Sequence, residues 1–181
     1  MPTSRVVPVL ALSTFAITGC GASVVHLDPA PDAANPQCAS AMVAMPTKIG
    51  DFTQRETTAQ ATTAWGDPAA VVLKCGVEVS QPVSDPCASV NGVDWIVKRT
   101  DTESSSSVTP SAAASAASQK VQSATGTWTA TTFGRSPNIQ VTFDAGRVSS
   151  SSLLVELGSA VQQLPQTEKC KNIDDTLNVD Q

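Results

Sequence analysis

The spacing of apolar residues divides the chain into a short set of elements. Val71 to Val79 alternates, with Val71, Leu73, Cys75, Val77 and Val79 on one side and Lys74 and Glu78 on the other, as in a half-buried strand. Cys87 to Val90 and Val93 to Lys98 flank Asn91-Gly92, the pair that best tolerates the positive φ angles of a tight hairpin. Trp128 to Phe133 and Ile139 to Phe143 form a second hairpin around Gly134-Arg135-Ser136-Pro137, with Ile139, Val141 and Phe143 on one face. Leu153, Leu154, Leu157, Ala160, Val161 and Leu164 keep a 3.6-residue period, with Ser150 to Ser152 as caps and Pro165 as a stop. An earlier helix starts at Asn35-Pro36, buries Cys38, Ala41, Met42 and Met45 on one face, and is stopped by Pro46. Between these elements, Asp51 to Ala64 is polar and Thr-rich and reads as either extended chain or loop, and Trp65-Gly66-Asp67-Pro68 is a turn with a large apolar anchor. The pattern predicts an α+β domain: an antiparallel sheet of about four strands with the N-terminal and C-terminal helices packed on one face.

Residues 1–19 do not belong to that domain. Arg5 and the free amine precede an apolar run from Val6 to Ile17, which suits a signal-peptide core and is too short to cross a bilayer. The run ends in Ile17-Thr18-Gly19-Cys20, which resembles the lipobox of bacterial lipoproteins, where the Cys is lipidated and becomes the first residue. Two or three acyl chains, at ~0.8 kcal/mol per buried methylene, would give a nearly permanent anchor. Residues 20–35 then read as a flexible tether that holds the only histidine, His26, with Val24, Val25 and Leu27 available for an edge contact. Residues 36–181 form the single domain, interrupted at 101–125 by a Ser- and Ala-rich insertion with too little apolar surface to offset its ordering.

Composition narrows the function classes. The chain has 181 residues and a formal charge of −5, with 11 Lys and Arg against 16 Asp and Glu. No basic cluster tracks a phosphate backbone, so nucleic-acid binding is disfavoured. Setting aside Cys20, the four remaining cysteines (Cys38, Cys75, Cys87 and Cys170) suit two disulfides in an exported chain. Of the three possible connectivities, Cys75–Cys87 across adjacent strands with Cys38–Cys170 tying the two helices is the expected one. Zinc binding and redox catalysis are disfavoured by the lack of a Cys-x-x-Cys motif and by the position of His26.

Several motifs occur in order: the lipobox, Ala64-Trp65-Gly66-Asp67-Pro68, Val71-Val72-Leu73-Lys74-Cys75-Gly76-Val77, Val90-Asn91-Gly92-Val93-Asp94-Trp95, and Trp128 followed by Phe133-Gly134-Arg135-Ser136-Pro137, with a final Leu-rich helix. Together they resemble the actinobacterial family known as domain of unknown function 3515, over nearly all of the mature chain. The resemblance implies a small envelope lipoprotein or secreted protein. It brings no activity and no functional residue.

Catalytic constellations are sparse. There is no Gly-x-Ser-x-Gly elbow, no phosphate-cradling glycine loop and no EF-hand spacing around Asp174-Asp175. The carboxylates Asp51, Glu56, Asp67, Asp85, Asp94, Asp144 and Glu156 fall mostly at turns, caps or solvent-facing positions, which argues against a glycosidase pair. One constellation stands out: Trp65, Trp95, Trp128 and Arg135, whose aromatic faces and guanidinium suit a sugar or an anionic wall component, or else fill a core and cap a turn. The sequence therefore predicts a lipid-anchored protein on the extracytoplasmic side of the cell membrane, non-enzymatic and without a cofactor or metal, acting as a scaffold or accessory protein. Its expected partners are the membrane, through the N-terminal lipid, and an envelope protein or wall component. The alternative is a binding module for a small anionic or glycan wall ligand, and an envelope hydrolase is the weakest reading.

Overall fold

A computed structural model describes residues 24–79, 87–100 and 126–170. The expected signal segment, Cys20, the insertion at 101–125 and Asp174-Asp175 lie outside the described residues. Helix α1 spans Pro36–Val43, followed by strands β1 (Lys48–Ile49), β2 (Phe52–Arg55), β3 (Thr62–Trp65), β4 (Val71–Val77), β5 (Cys87–Val90), β6 (Val93–Arg99), β7 (Thr127–Thr132) and β8 (Asn138–Asp144), and helix α2 (Ser150–Val161). All eight strands form one sheet in the order β1-β2-β3-β4-β8-β7-β6-β5, with every neighbouring pair antiparallel. This corrects the expected fold of about four strands with flanking helices. The additional strands come mainly from the Thr-rich stretch 48–65, which pairs onto β4.

Register sorts the side chains. Antiparallel partners share a face, so the row Gln54–Trp65–Val71–Phe143–Trp128–Arg99 points to one side, as does the next row, Thr63–Leu73–Val141–Ala130–Val97. The apolar members of these rows join Cys38, Ala41 and Met45 and the buried α2 side chains Leu153, Leu154, Leu157, Ala160 and Val161 in a single core. The opposite side carries Arg55–Ala64–Val72–Thr142–Thr129–Lys98 and Thr62–Lys74–Gln140–Thr131–Ile96–Cys87. Among the described residues, neither helix covers this outer face.

Local chemistry accounts for the ends of the elements. The Asn35 side chain accepts the Gln37 amide at 3.0 Å and Pro36 occupies the first helical turn of α1. Asn91 and Gly92 take φ values of +49° and +74°, as a two-residue hairpin turn requires. Helix α2 draws the two ends of the sheet order together. Its Glu156 accepts the Gly50 amide at 3.1 Å, beside β1, and its Gln162 donates to the Asn91 carbonyl at 2.7 Å, beside β5. Six helical residues rise only about 9 Å, whereas eight strands laid flat span roughly 34 Å. The sheet is therefore strongly curled around the core.

Three further expectations are corrected. The alternation expected through Val79 breaks at Gly76 (φ +92°), where the register between Cys75 and Val77 shifts. The part of the expected tether that is described lies against the domain: Val25 bridges Thr57, Ala30 and Ala33 are buried, and the Asp32 amide donates to the Gly76 carbonyl at 3.0 Å. The disulfides join Cys38 to Cys75 and Cys87 to Cys170, not Cys75 to Cys87 and Cys38 to Cys170. β4 and β5 are consecutive in the chain, but β8, β7 and β6 lie between them in the sheet. Four strand spacings amount to about 19 Å, far beyond the ~6 Å Cα separation that a disulfide tolerates.

Candidate functional site

The tryptophans are part of the packing. Trp65 on β3 is 0% exposed and donates its Nε1–H to the Pro46 carbonyl at 2.9 Å, locking the chain that follows α1 onto the sheet. Trp95 on β6 is also 0% exposed, and among the described residues its Nε1 has no hydrogen-bond partner. Trp128 on β7 shares the row of Trp65, is half-buried, and has the Arg99 guanidinium 5.7 Å from its ring centroid. Trp65 and Trp95 lie within the core, Trp128 packs against it, and none of the three lines either of the clefts below. The fold does not gather the three indoles into one pocket.

Arg135 sits in the β7–β8 loop, 6% exposed, and donates through Nη1 to the Leu164 carbonyl at 2.6 Å and through Nη2 to the Gly92 carbonyl at 3.4 Å. Burial lowers its pKa from the ordinary arginine value, and the nearby Asp94 carboxylate opposes that shift. Asp94 is itself buried, accepting the Cys170 amide at 2.9 Å and the Gln166 side chain at 3.5 Å. The Gly134 carbonyl accepts the Thr167 and Glu168 amides at 2.7 and 3.2 Å. Residues 164–170 thus form a strap held by Arg135, Asp94, Gly134 and the Cys87–Cys170 bridge. Asp94 and Gly134 were not legible as partners, because most of these contacts are to the main chain and leave no residue-type signal.

Among the described residues, surface clefts border these elements. One, of about 590 Å³, lies beside Arg135 and is lined by Asp32, Glu78, Ser136 and Asn138 among others. Another, of about 450 Å³, lies between α1 and the β2–β3 region and is lined by Met42, Gln54, Glu56, Thr57 and Thr63 among others. Within it, Gln54 donates to Thr63 Oγ1 at 3.0 Å. Among the described residues no group of three or more His, Cys, Asp or Glu side chains could hold a metal ion. The four described cysteines are all in disulfides, which removes them as nucleophiles or thiolate ligands.

The outer face is charged unevenly. Lys48 pairs with Thr53 on the same side as Arg55, Lys74 and Lys98, so four cationic side chains share the outer parity. Arg55 is paired with Asp67 at 3.1 Å. Between the lysines lie Thr129, Thr131, Gln140 and Thr142.

These features define a small, disulfide-stapled antiparallel domain with a packed inner face and a polar outer face that is half-buried over much of its area. The chain belongs to the family described as protein of unknown function (DUF3515), which matches residues 1–169. No curated protein and no solved structure matches the chain.

Proposed function

We propose that this is a lipid-anchored protein on the extracytoplasmic side of the cell membrane that acts without catalysis, as a scaffold or accessory to an envelope protein. The anchor rests on Ile17-Thr18-Gly19-Cys20 at the end of the apolar run. One observation carries the rest of the reading. The groups best suited to a small ligand, those of Trp65, Trp95 and Arg135, are buried in internal packing, while the outer side of the sheet carries Lys48, Lys74 and Lys98 with half-buried Thr and Gln side chains between them. Such a face fits a protein surface of opposite charge, where complementary charge fixes orientation and speeds encounter. A glycan or small anion calls instead for a concave pocket with accessible aromatic or cationic groups. The cleft beside Arg135 is the place for that alternative, but Asp32 and Glu78 share it and repel an anion.

Site-specific photocrosslinking in intact cells tests the proposal. A crosslinker at Thr142 on the outer face should give a discrete protein adduct, and one at the exposed Ser159 on α2 should not. Lys74→Glu with Lys98→Glu should weaken the Thr142 adduct. Equal labelling from both positions, or none from Thr142, refutes the outer face as the contact surface.

A further inference from the structure

Cys20 is separated from Val24 by only three residues, so at most about 14 Å of chain joins them. At Val24 the domain has already begun. The Val25 amide donates to the Glu56 carbonyl at 3.0 Å, and the Thr58 amide returns to the Val25 carbonyl at 3.1 Å. The Leu27 amide donates to Thr58 Oγ1 at 3.1 Å. From there the chain has little slack before α1: the Ala33 amide reaches the Ala30 carbonyl, the Asp32 amide the Gly76 carbonyl, and the Asn35 amide the Asp32 carbonyl, each at 3.0 to 3.1 Å. A lipid on Cys20 would therefore bring the 24–27 edge of the domain down to the membrane, not suspend the domain on a tether.

That edge also carries exposed apolar side chains. Among the described residues, the large exposed hydrophobics are Val24, Val43 and Val155, at 44%, 89% and 48%. Val43 ends α1, next to Met42, and Met42 lines the same cleft as Glu56 and Thr57, the loop against which Val25 pairs. Two of the three exposed valines therefore flank one edge, and it is the edge nearest the anchor.

We propose that the edge built from residues 24–27, the 56–59 loop and the last turn of α1 rests on the lipid bilayer, with Val24 and Val43 in its interface. The occupant is the membrane that holds the lipid of Cys20, so this inference rests on the anchor reading above. The acyl chains provide residence. The edge provides orientation, because a short connection keeps its local concentration at the bilayer high even though two valines alone bind weakly. Glu56 is exposed on this edge and Asp28 lies just beyond it, so the contact is apolar and added salt leaves it in place.

The test uses the full-length protein, processed in cells, purified and placed in phosphatidylcholine vesicles that contain brominated lipid. A fluorescent side chain replaces Val43 in one variant and Val155 in another. Mass measurement of each preparation reports the acyl group. In acylated protein, fluorescence should be lost at position 43 and retained at position 155. Inserting about 20 Gly and Ser residues after Ser23 should restore the signal at position 43, because a flexible linker of that length lets the domain leave the surface. Acylated protein that is quenched at both positions or at neither, or whose quenching survives the insertion, overturns the orientation while leaving the anchor intact. Protein without an acyl group removes the anchor reading and the orientation with it.

Discussion

Gly134→Ala should release the C-terminal strap, whereas Gly92→Ala should not, although both positions have left-handed backbone, with φ of +66° and +74°. An alanine at either one carries about 1–2 kcal/mol of backbone strain. The space around them differs. A Cβ on Gly92 meets nothing within 4 Å, but a Cβ on Gly134 overlaps the carbonyl of Glu168 and lies 2.9 Å from its Cα. Main chain cannot rotate away as a side chain can, so the strap must lift. Lifting breaks the bonds from the Thr167 and Glu168 amides to the Gly134 carbonyl, at 2.7 and 3.2 Å. At about 1 kcal/mol each, these add roughly 2 kcal/mol, for a total near 3–4 kcal/mol against 1–2 kcal/mol for Gly92→Ala. With ~2–8 °C of melting temperature per kcal/mol in a domain of this size, the two variants separate cleanly in a thermal melt. Hydrogen exchange at the Thr167 and Glu168 amides reads the cause directly. Equal melting temperatures with protection retained at both amides would refute the reasoning.

Four further outcomes follow from named contacts. Arg135→Met leaves the Leu164 carbonyl without its donor and Asp94 without the opposing charge, and should cost about 3 kcal/mol or more by denaturant melting, with Asp94→Asn recovering part of the loss. Losing Cys38–Cys75 should lower the melting temperature more than losing Cys87–Cys170. Chain entropy assigns about 4 kcal/mol to each, with loops of 37 and 83 residues differing by under ~1 kcal/mol, and only Cys38 and Cys75, at 2% and 0% exposed, leave cavities in the core. Trp65→Phe should cost about 1–2 kcal/mol, because it strands the Pro46 carbonyl. Excising residues 104–122 should cost under about 1 kcal/mol in a melt, because Arg99 already pairs with Trp128 and a short connection closes those strands.

Most of the elements that pack the core were legible, while their neighbours and several partners were not. β8 and both helices follow directly from their periods, because each has one wet face and one dry face, whereas the β5–β6 hairpin was legible from its Asn91-Gly92 turn although Val93 to Ile96 are all buried. β3 defeats that logic: Thr62, Thr63, Ala64 and Trp65 are all buried, so the strand shows no alternation, and β1 contains only Lys48 and Ile49. Strand order was hidden for another reason. Nothing local in Val71–Val77 or Cys87–Val90 reveals that β8, β7 and β6 will stand between them, and the expected Cys75–Cys87 bridge failed on that point. The Trp and Arg residues were legible as chemistry but not as a site. A guanidinium that serves main-chain carbonyls has the same sequence signature as one that awaits a ligand.

The observed disulfides fit the two chain ends better than the expected pairing would. Each flanking segment runs against a glycine with positive φ, Gly76 in β4 or Gly134 in the β7–β8 loop, where any Cβ would strike its backbone. Each segment is hydrogen-bonded to that glycine's carbonyl, by Asp32 at one end and by Thr167 and Glu168 at the other. Each is then fastened within a few residues, by Cys38–Cys75 or Cys87–Cys170. A bridge between Cys75 and Cys87 would have tied strand to strand and left Cys38 and Cys170 to fasten the two ends only to each other. The cleft beside Arg135 lies where the two segments approach: Pro31 and Asp32 come from the first, and the Arg135–Asn138 loop is gripped by the second. Its walls are therefore set by both disulfides, and the more exposed Cys87–Cys170 bridge holds the wall that contains Arg135. Reduction of that bridge alone would reshape the cleft and loosen the strap while the core, stapled by the buried Cys38–Cys75 pair, stays closed.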